Sequence, residues 1–420
     1  MNKVLIIGSG GREHALAWKL VSDVEVGKVY CLPGNGGTQN IACNVDLKID
    51  DFDAIHRYVC DEAIDMIIVG PEAPLNDGIV DFFKDKNIKI FGPDQFASQL
   101  ECSKLFARDF MMENDIPQPK YYECRSIDQG YQIKAELGLP LVLKADGLAA
   151  GKGVLICNSE SEFENGLKIM FDDKKFGSAC EKISIEQCLI GEELSVFAVC
   201  DGKNYKIIGD AQDHKRIFDE DKGPNTGGMG AYSPTSLCSP ELLRNVEKDI
   251  IKPTLKGMSD LGHPYLGFLY VGLMIVESKP FVIEFNVRMG DPETQVVIPR
   301  IESSLYKIFE DSINGNIDKT DISFSSDTFV TVVLASDGYP DKYATGQIIN
   351  EIKPLDNNIL FHAGTKFNNQ KHYVSGGRVL NAVGFGESID KAISNVYKFI
   401  SGIEFENMYF RKDIGQKGIR

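Results

Sequence analysis

The chain has 420 residues, 43% apolar and 25% charged, and its 45 basic and 61 acidic side chains give a net charge of −16. Those proportions exclude a disordered or collagen-like polymer, and the acidic balance argues against a dedicated nucleic-acid binder. At roughly 150 residues per domain the length predicts about three domains, each able to bury a core without disulfides. The 10 cysteines lie between Cys31 and Cys238 with no CxxC spacing, which reads as reduced thiols rather than a zinc site or a disulfide framework. The N-terminal apolar run is too short for a signal peptide, and the longest run, 265–276, is too short to span a bilayer. A cytoplasmic protein without membrane association is expected.

In chain order, strands are predicted at 3–7, 29–32, 65–69 and 88–91, with helices at 13–21, 52–60 and 75–86. This alternation predicts a parallel sheet covered on both faces, with ligands beyond the carboxyl ends of its strands. A helix at 95–112 leaves that first region, and a proline-containing break at 114–119 opens a second. Strands follow at 140–146, 154–157 and 183–187, then an antiparallel meander at 191–208, a long polar loop at 213–234 and a helix at 240–261. A hairpin of buried strands at 265–276 and 280–285 precedes a helix running to about residue 314. A polar break at 323–327 leads to a region of strands and turns that closes on an amphipathic helix at 390–401.

The first glycine turn, GSGGREHA, invites a dinucleotide reading, because glycine turns at a helix start present N–H groups to anions. The fingerprint needs a small residue where Glu13 stands and an acid at the end of the second strand, where Leu32, Pro33 and Gly34 stand instead. A site for one phosphorylated small molecule is the better reading, with a purely structural turn as the alternative. The second glycine run, LVLKADGLAAGKGV, is not a Walker motif, since Gly153 follows Lys152 where Ser or Thr should stand. Its lysines and glycines suit a triphosphate, unless the loop is only a solvated hairpin tip. In VIEFNVRMGDPE, strand alternation puts Glu284, Asn286 and Arg288 on one face. The carboxylate and amide suit Mg²⁺ and the guanidinium an anion, against the alternative of a structural Glu284–Arg288 salt bridge. In AQDHKR, Asp213, Lys215 and Arg216 are polar enough to join that site, whereas His214 is by itself a structural histidine more often than a catalyst.

The set VLIIGSGGREHALAWKL, LPGNGGT, VGPEAPL, FGP, LKADGLAAGKGV, AQDHKR, PNTGGMGAYSP, EFNVRMGDPETQ and SGGRVL resembles, in order and over essentially the whole chain, the phosphoribosylamine–glycine ligases of the ATP-grasp superfamily. The resemblance implies an α/β architecture: a Rossmann-like parallel-sheet domain at 1–100, an ATP-grasp domain at 101–322 with a mobile lid at about 119–187, and a small α+β domain at 323–420. It implies a ligase of purine biosynthesis, taking ATP, glycine and 5-phosphoribosylamine with Mg²⁺ or Mn²⁺; a monofunctional chain and a monomer are expected. Carried over residue by residue, Lys104 and Lys144 resemble the lysines on the ATP phosphates, and Gly151, Lys152 and Gly153 belong to the lid loop. Glu186, Gln187, Cys188 and Leu189 resemble the hinge that holds adenine, largely by main-chain groups. Glu192 or Glu193 is similar to the acid on the nucleotide ribose, and Glu284 and Asn286 to the metal ligands. Arg288, Lys215 and Asp213 are then the catalytic candidates. Many superfamily members carry a second metal carboxylate where this chain has Tyr270. The phosphoribosyl group is expected over the first domain, held by Gly10, Gly11, Arg12, Asn35, Gly36, Gly37 and Glu72, with Arg378 as a further phosphate ligand. The alternative for Glu72 is a helix N-terminal acid. A biotin-dependent carboxylase, a nicotinamide oxidoreductase and a nucleotide-binding regulator without turnover are the competing readings.

Overall fold

The computed structural model describes residues 1–147, 153–350 and 353–419; Gly151 and Lys152 lie outside the described residues. Strands Asn2–Gly8, Val26–Pro33, Met66–Val69 and Lys89–Phe91 form at the predicted apolar runs, joined by a short edge strand, Cys43–Asn44. All pair in parallel, with Asn2–Gly8 at the centre. Val4 and Ile6 bury into one hydrophobic layer and Leu5 and Ile7 into the other, as a sheet covered on both faces requires. Register sets Gly8 beside Pro33 and Ile7 beside Val69. The turns that follow these strands therefore leave the sheet at one edge.

A second sheet of 8 strands crosses the middle and the last part of the chain. Hairpins Glu192–Asp201/Tyr205–Asp213 and Leu266–Val276/Lys279–Asn286 form one half. Strand Gly230–Ser233 pairs with Tyr205–Asp213 on one side and Thr328–Ala335 on the other, and Arg378–Gly386 and Asn358–His362 complete the order. The polar break at 323–327 interrupts the chain but not this hydrogen-bonded sheet. The predicted terminal helix is present as Ile389–Ile400, capped by Ser388 and buried through Ala392, Ile393, Val396, Phe399 and Ile400. A separate antiparallel sheet, Tyr121–Cys124, Ile183–Gln187, Leu141–Ala145 and Val154–Cys157, has its own core around Leu141, Leu143, Phe163 and Ile185. All 10 cysteines are unpaired, and no described helix is long and apolar enough to cross a membrane.

Several expectations change. The polar stretch 213–234 holds a hairpin, Arg216–Phe218 with Lys222–Asn225, and the sheet strand Gly230–Ser233; its short pairings alternate with glycines and leave no apolar period to read. The helix expected at 75–86 divides into Glu72–Asn76 and Ile79–Phe83, because Gly78 takes a left-handed conformation with φ of 84°. The helix expected at 95–112 divides at Ser103, whose side chain accepts from Phe106 N and caps Lys104–Glu113. The helix expected to run to residue 314 is a short turn, Thr294–Val297, followed by Leu305–Ile313. The strand carrying Glu284 and Asn286 ends at Asn286, so Arg288 lies beyond it rather than on the same strand face.

Candidate active site

A cavity of about 1510 Å³ opens where the parallel sheet meets the large sheet. It collects side chains from all the predicted clusters: Glu72, Lys104, Lys144, Glu193, Lys215 and Glu284 among them. Arg288 is central. Its Nη2 lies 2.5 Å from Glu101 Oε1 and its Nε 3.2 Å from Glu72 Oε2. Glu101 Oε2 also accepts from Val287 N at 2.8 Å, which fixes the turn after the strand. Burial opposes the charge of Arg288, but Glu101 and Glu72 push its pKa up. The salt bridge considered between Glu284 and Arg288 is not the pairing observed: Arg288 binds Glu72 and Glu101. Glu72 opens the helix Glu72–Asn76 and also faces Arg288, so it sits where both of its readings require. Burial would raise its pKa, yet Arg288 and Arg12 hold it down to about 2.

The lysines predicted to meet phosphate converge on the same space. Lys144 Nζ lies 2.8 Å from the Ile283 carbonyl and 2.9 Å from Glu186 Oε2. Burial lowers its pKa to about 8 against the pull of Glu186. Lys104, at the start of its helix, donates to Glu101 O at 3.0 Å. Lys215 Nζ is 2.8 Å from Glu193 Oε2 and 3.5 Å from Glu284 Oε1. Despite burial, Glu193, Glu284 and Asp213 raise the pKa of Lys215. Asp213 moves the other way for a carboxyl: burial and then Glu293, Glu193 and Glu284 outweigh Lys215 and push it up to about 8. Glu192 lines the cavity beside Glu193.

Glu284 stays ionised, since Lys215, Lys104 and Lys144 overcome the cost of burial and bring its pKa to about 2. Asn286 is 9% exposed, and its amide makes no hydrogen bond to another described residue. Among the described residues no group of three or more His, Cys, Asp and Glu side chains is arranged to hold a metal. The donor set nonetheless fits Mg²⁺, which is content with one or two protein oxygens and completes its shell with water and phosphate. Tyr270 pairs with Asn286 across the hairpin, accepts from Ser195 Oγ at 2.9 Å and donates to Glu293 Oε1 at 3.0 Å. A carboxylate thus reaches this neighbourhood from beyond the strand end.

In the segment expected to hold adenine, the Glu186 side chain is bound by Arg108 and Lys144. Gln187 N donates to Lys120 O and Cys188 N to Pro140 O. Gln187, Cys188 and Leu189 all line the cavity. Gly153 borders the cavity as well.

The first glycine turn is arranged differently from the sequence expectation. Gly10 N, read as an anion donor, already gives its hydrogen to Glu13 Oε2 at 2.6 Å. Arg12 N gives its own to Asp291 Oδ2 at 3.0 Å, and the Arg12 guanidinium binds Glu13 and the Met289 carbonyl. Glu13 fills the space over the turn: a Cβ on Gly70 would lie 2.1 Å from its carboxylate and one on Gly8 2.6 Å away. The position where the dinucleotide fingerprint needs a small residue is thus filled by a carboxylate that takes the Gly10 N–H, which argues against the dinucleotide reading. Asn35 is likewise occupied. It donates to Ser9 O and His362 O and accepts from Gly37 N and Thr38 N, while Gly36 N donates to Thr365 O. Asn35, Gly36 and Gly37 therefore join the first and last parts of the chain and offer no free donor. Gly11 is pressed against Asn381 and Gln295. Arg378 lines the cavity with its side chain 22% exposed; it lies 3.5 Å from Asp291 Oδ1 and donates to the carbonyls of Gly227 and Asp291.

Sequence reading missed Glu101, Arg108 and Glu293. Glu293 stood inside the quoted EFNVRMGDPETQ run, so a signal for it existed. Nothing local marks Glu101 or Arg108, whose partners lie far along the chain.

Comparison with known proteins agrees with this geometry. The phosphoribosylglycinamide synthetase N domain matches residues 2–101, the ATP-grasp (A) domain of the same family residues 102–294, and its C domain residues 329–417. The phosphoribosylamine–glycine ligase of Chlorobaculum tepidum is 44% identical over 99% of this chain and 100% of its own length. The crystal structure of a phosphoribosylamine–glycine ligase from Thermotoga maritima superposes with a TM-score of 0.84 at 31% identity, covering 98% of this chain and 99% of that one. A biotin carboxylase from Campylobacter jejuni shares the fold at a TM-score of 0.74 but only 16% identity, over 99% of this chain and 94% of that one. With its N, ATP-grasp and C regions all matched in order, the chain belongs to the phosphoribosylglycinamide synthetase family.

Proposed function

We propose that this chain joins glycine to 5-phosphoribosylamine at the expense of ATP, giving glycinamide ribonucleotide, ADP and phosphate in purine biosynthesis. The observation that carries the reading is Arg288 itself. It stands between Glu72 of the first region and Glu101 beside Lys104, within one cavity that also contains Lys144 and Glu284. A nucleotide on one side and a sugar amine on the other would meet there.

The chemistry explains why these groups are needed. A carboxylate resists attack by an amine because oxide is a poor leaving group. Transfer of the γ-phosphoryl group of ATP to glycine gives an acyl phosphate, whose leaving group is phosphate. The amine of phosphoribosylamine then attacks the carbonyl, the C–O bond to phosphate breaks, and the amine proton is released. Phosphoryl transfer depends chiefly on positioning and charge neutralisation. Lys104 and Lys144 supply positive charge to the phosphates, while Arg288 and Lys215 hold the glycine carboxylate and the developing acyl phosphate. Glu284 and Asn286 would hold Mg²⁺ or Mn²⁺, which supplies further neutralisation of the polyphosphate. Leu189 N–H serves the adenine edge, and Glu192 the nucleotide ribose. Glu72 accepts from ribose hydroxyls of the amine substrate, with Arg12 close by. Arg378 contributes through the loops it ties together.

The test is direct. With ATP, isotopically labelled glycine and phosphoribosylamine generated in place from ribose 5-phosphate and ammonia, mass spectrometry should find labelled glycinamide ribonucleotide. Label left wholly in glycine while ATP is consumed would refute the assignment.

A further inference from the structure

Arg108 is among the largest fully buried side chains of the protein, 2% exposed. It lies on the helix Lys104–Glu113, one turn after Lys104. A guanidinium carries five N–H groups, and here each has an acceptor. Nε lies 2.9 Å from Glu186 Oε1, and Nη2 lies 2.6 Å from Glu186 Oε2 and 2.9 Å from Ile283 O. Nη1 lies 2.9 Å from Val282 O and 3.3 Å from Gln118 Oε1. Glu186 belongs to the strand that runs into the hinge, Ile183–Gln187, and Val282 and Ile283 to the strand that carries Glu284 and Asn286. The guanidinium therefore pins these two strands together behind the cavity.

Lys144 sits against the same group. Strand pairing sets it opposite Ser184, two residues from Glu186 on the same face. Its ammonium donates to Ile283 O and pairs with Glu186 Oε2, leaving one hydrogen for the cavity that Lys144 lines. Both oxygens of Glu186 are held in the fork of Arg108, and Oε1 also accepts from Ser184 Oγ at 3.0 Å. The carboxylate is thus shared and cannot turn fully onto Lys144.

We propose that Arg108 is a positioning residue for the nucleotide: by gripping Glu186 it keeps that carboxylate from closing on Lys144, so that Lys144 stays aimed at the ATP phosphates. The proposal rests on the ATP-dependent reading above. Charged groups attract strongly in a poorly solvated site. With the fork removed, Glu186 pairs with Lys144 alone, neutralises it and draws it from the phosphates. Removing the charge of Glu186 as well releases Lys144 again. A purely structural role for Arg108 would give the opposite pattern, with the second substitution adding to the damage.

The experiment compares R108M, R108M/E186Q and R108K with the unaltered chain, using ATP titration calorimetry together with KM for ATP and for glycine. R108M should weaken ATP binding about tenfold or more, the scale of coupling between directly bonded groups, with the KM for glycine within about twofold. R108M/E186Q should recover most of the lost affinity, and R108K, with fewer donors and no planar fork, should fall between. A double variant no better than R108M overturns the proposal, as does an equal loss for glycine and ATP. If R108M does not fold, R108K decides: unchanged ATP affinity overturns the proposal and a several-fold loss restricted to ATP supports it. Absence of ATP binding to the unaltered chain would instead sink the ATP-dependent reading on which this rests.

Discussion

Replacing Glu72 by Gln separates the two substrates. The Glu72 carboxylate lies 3.2 Å from Arg288 Nε and its side chain is 27% exposed. Burial works against its charge, but Arg288 and Arg12 lower its pKa from 4.5 to about 2. At 1.36 kcal/mol per unit, such a shift corresponds to at most about 3–4 kcal/mol of native-state preference for the ionised group. Because the folded-state pKa is depressed, that stability is present above the unfolded value and is lost as pH falls through the folded one. The stability gap between wild type and E72Q in denaturant should therefore be widest near neutrality and close between about pH 5 and pH 2. In catalysis, a hydrogen bond from a hydroxyl to a charged group is worth about 1.5–3 kcal/mol. Loss of one raises KM for phosphoribosylamine about 10- to 100-fold. Arg288 keeps Glu101, so KM for ATP should stay within about twofold. Steady-state assays varying each substrate in turn give both numbers. A rise in KM for ATP with phosphoribosylamine unaffected would place the nucleotide in the crevice of the first domain and reverse the arrangement.

Three further outcomes follow from named contacts. E284Q should lower turnover about 100-fold or more with little change in Tm, since it removes the only carboxylate of the proposed metal pair; near-normal activity in Mg²⁺ would refute that pairing. Burial brings the Lys144 pKa from 10.5 to about 8, and a lysine loses its charge as pH rises through its pKa, so ATP affinity should decline above about pH 8. K144R should remove that alkaline limb, and a limb unchanged in K144R would assign it elsewhere. Gly11→Ala would place a Cβ 2.5 Å from both Asn381 Nδ2 and Gln295 Nε2, and should cost about 1–3 kcal/mol of stability in thermal unfolding.

What could be read from the sequence depended on how local the cause was. Parallel strands appeared as mostly apolar runs because both sheet faces are buried, so successive side chains of such a run tend to be apolar. The strand Cys43–Asn44 left no such trace, being only 2 residues long. Glu284 and Asn286 were legible because strand alternation is a local rule, whereas Arg288 escaped it when the strand ended. The capture of Gly10 N by Glu13, only three residues on, has the spacing of a capping box, and was readable in principle. The burial of Arg108 was not: a charged residue on an amphipathic helix reads as solvent-facing, and its partner Glu186 is 78 positions away. Glu101 and Arg288 are 187 apart. The bond from Asn35 to His362 O, between residues 327 apart, was equally out of reach of a local rule.

The most direct test of the whole account is ADP release measured with each substrate omitted in turn. The account predicts ADP and phosphate in equal amounts, sustained only when ATP, glycine and phosphoribosylamine are all present, with E284Q close to background. Sustained ADP release that ignores phosphoribosylamine, or that proceeds equally well with bicarbonate in place of glycine, would contradict it.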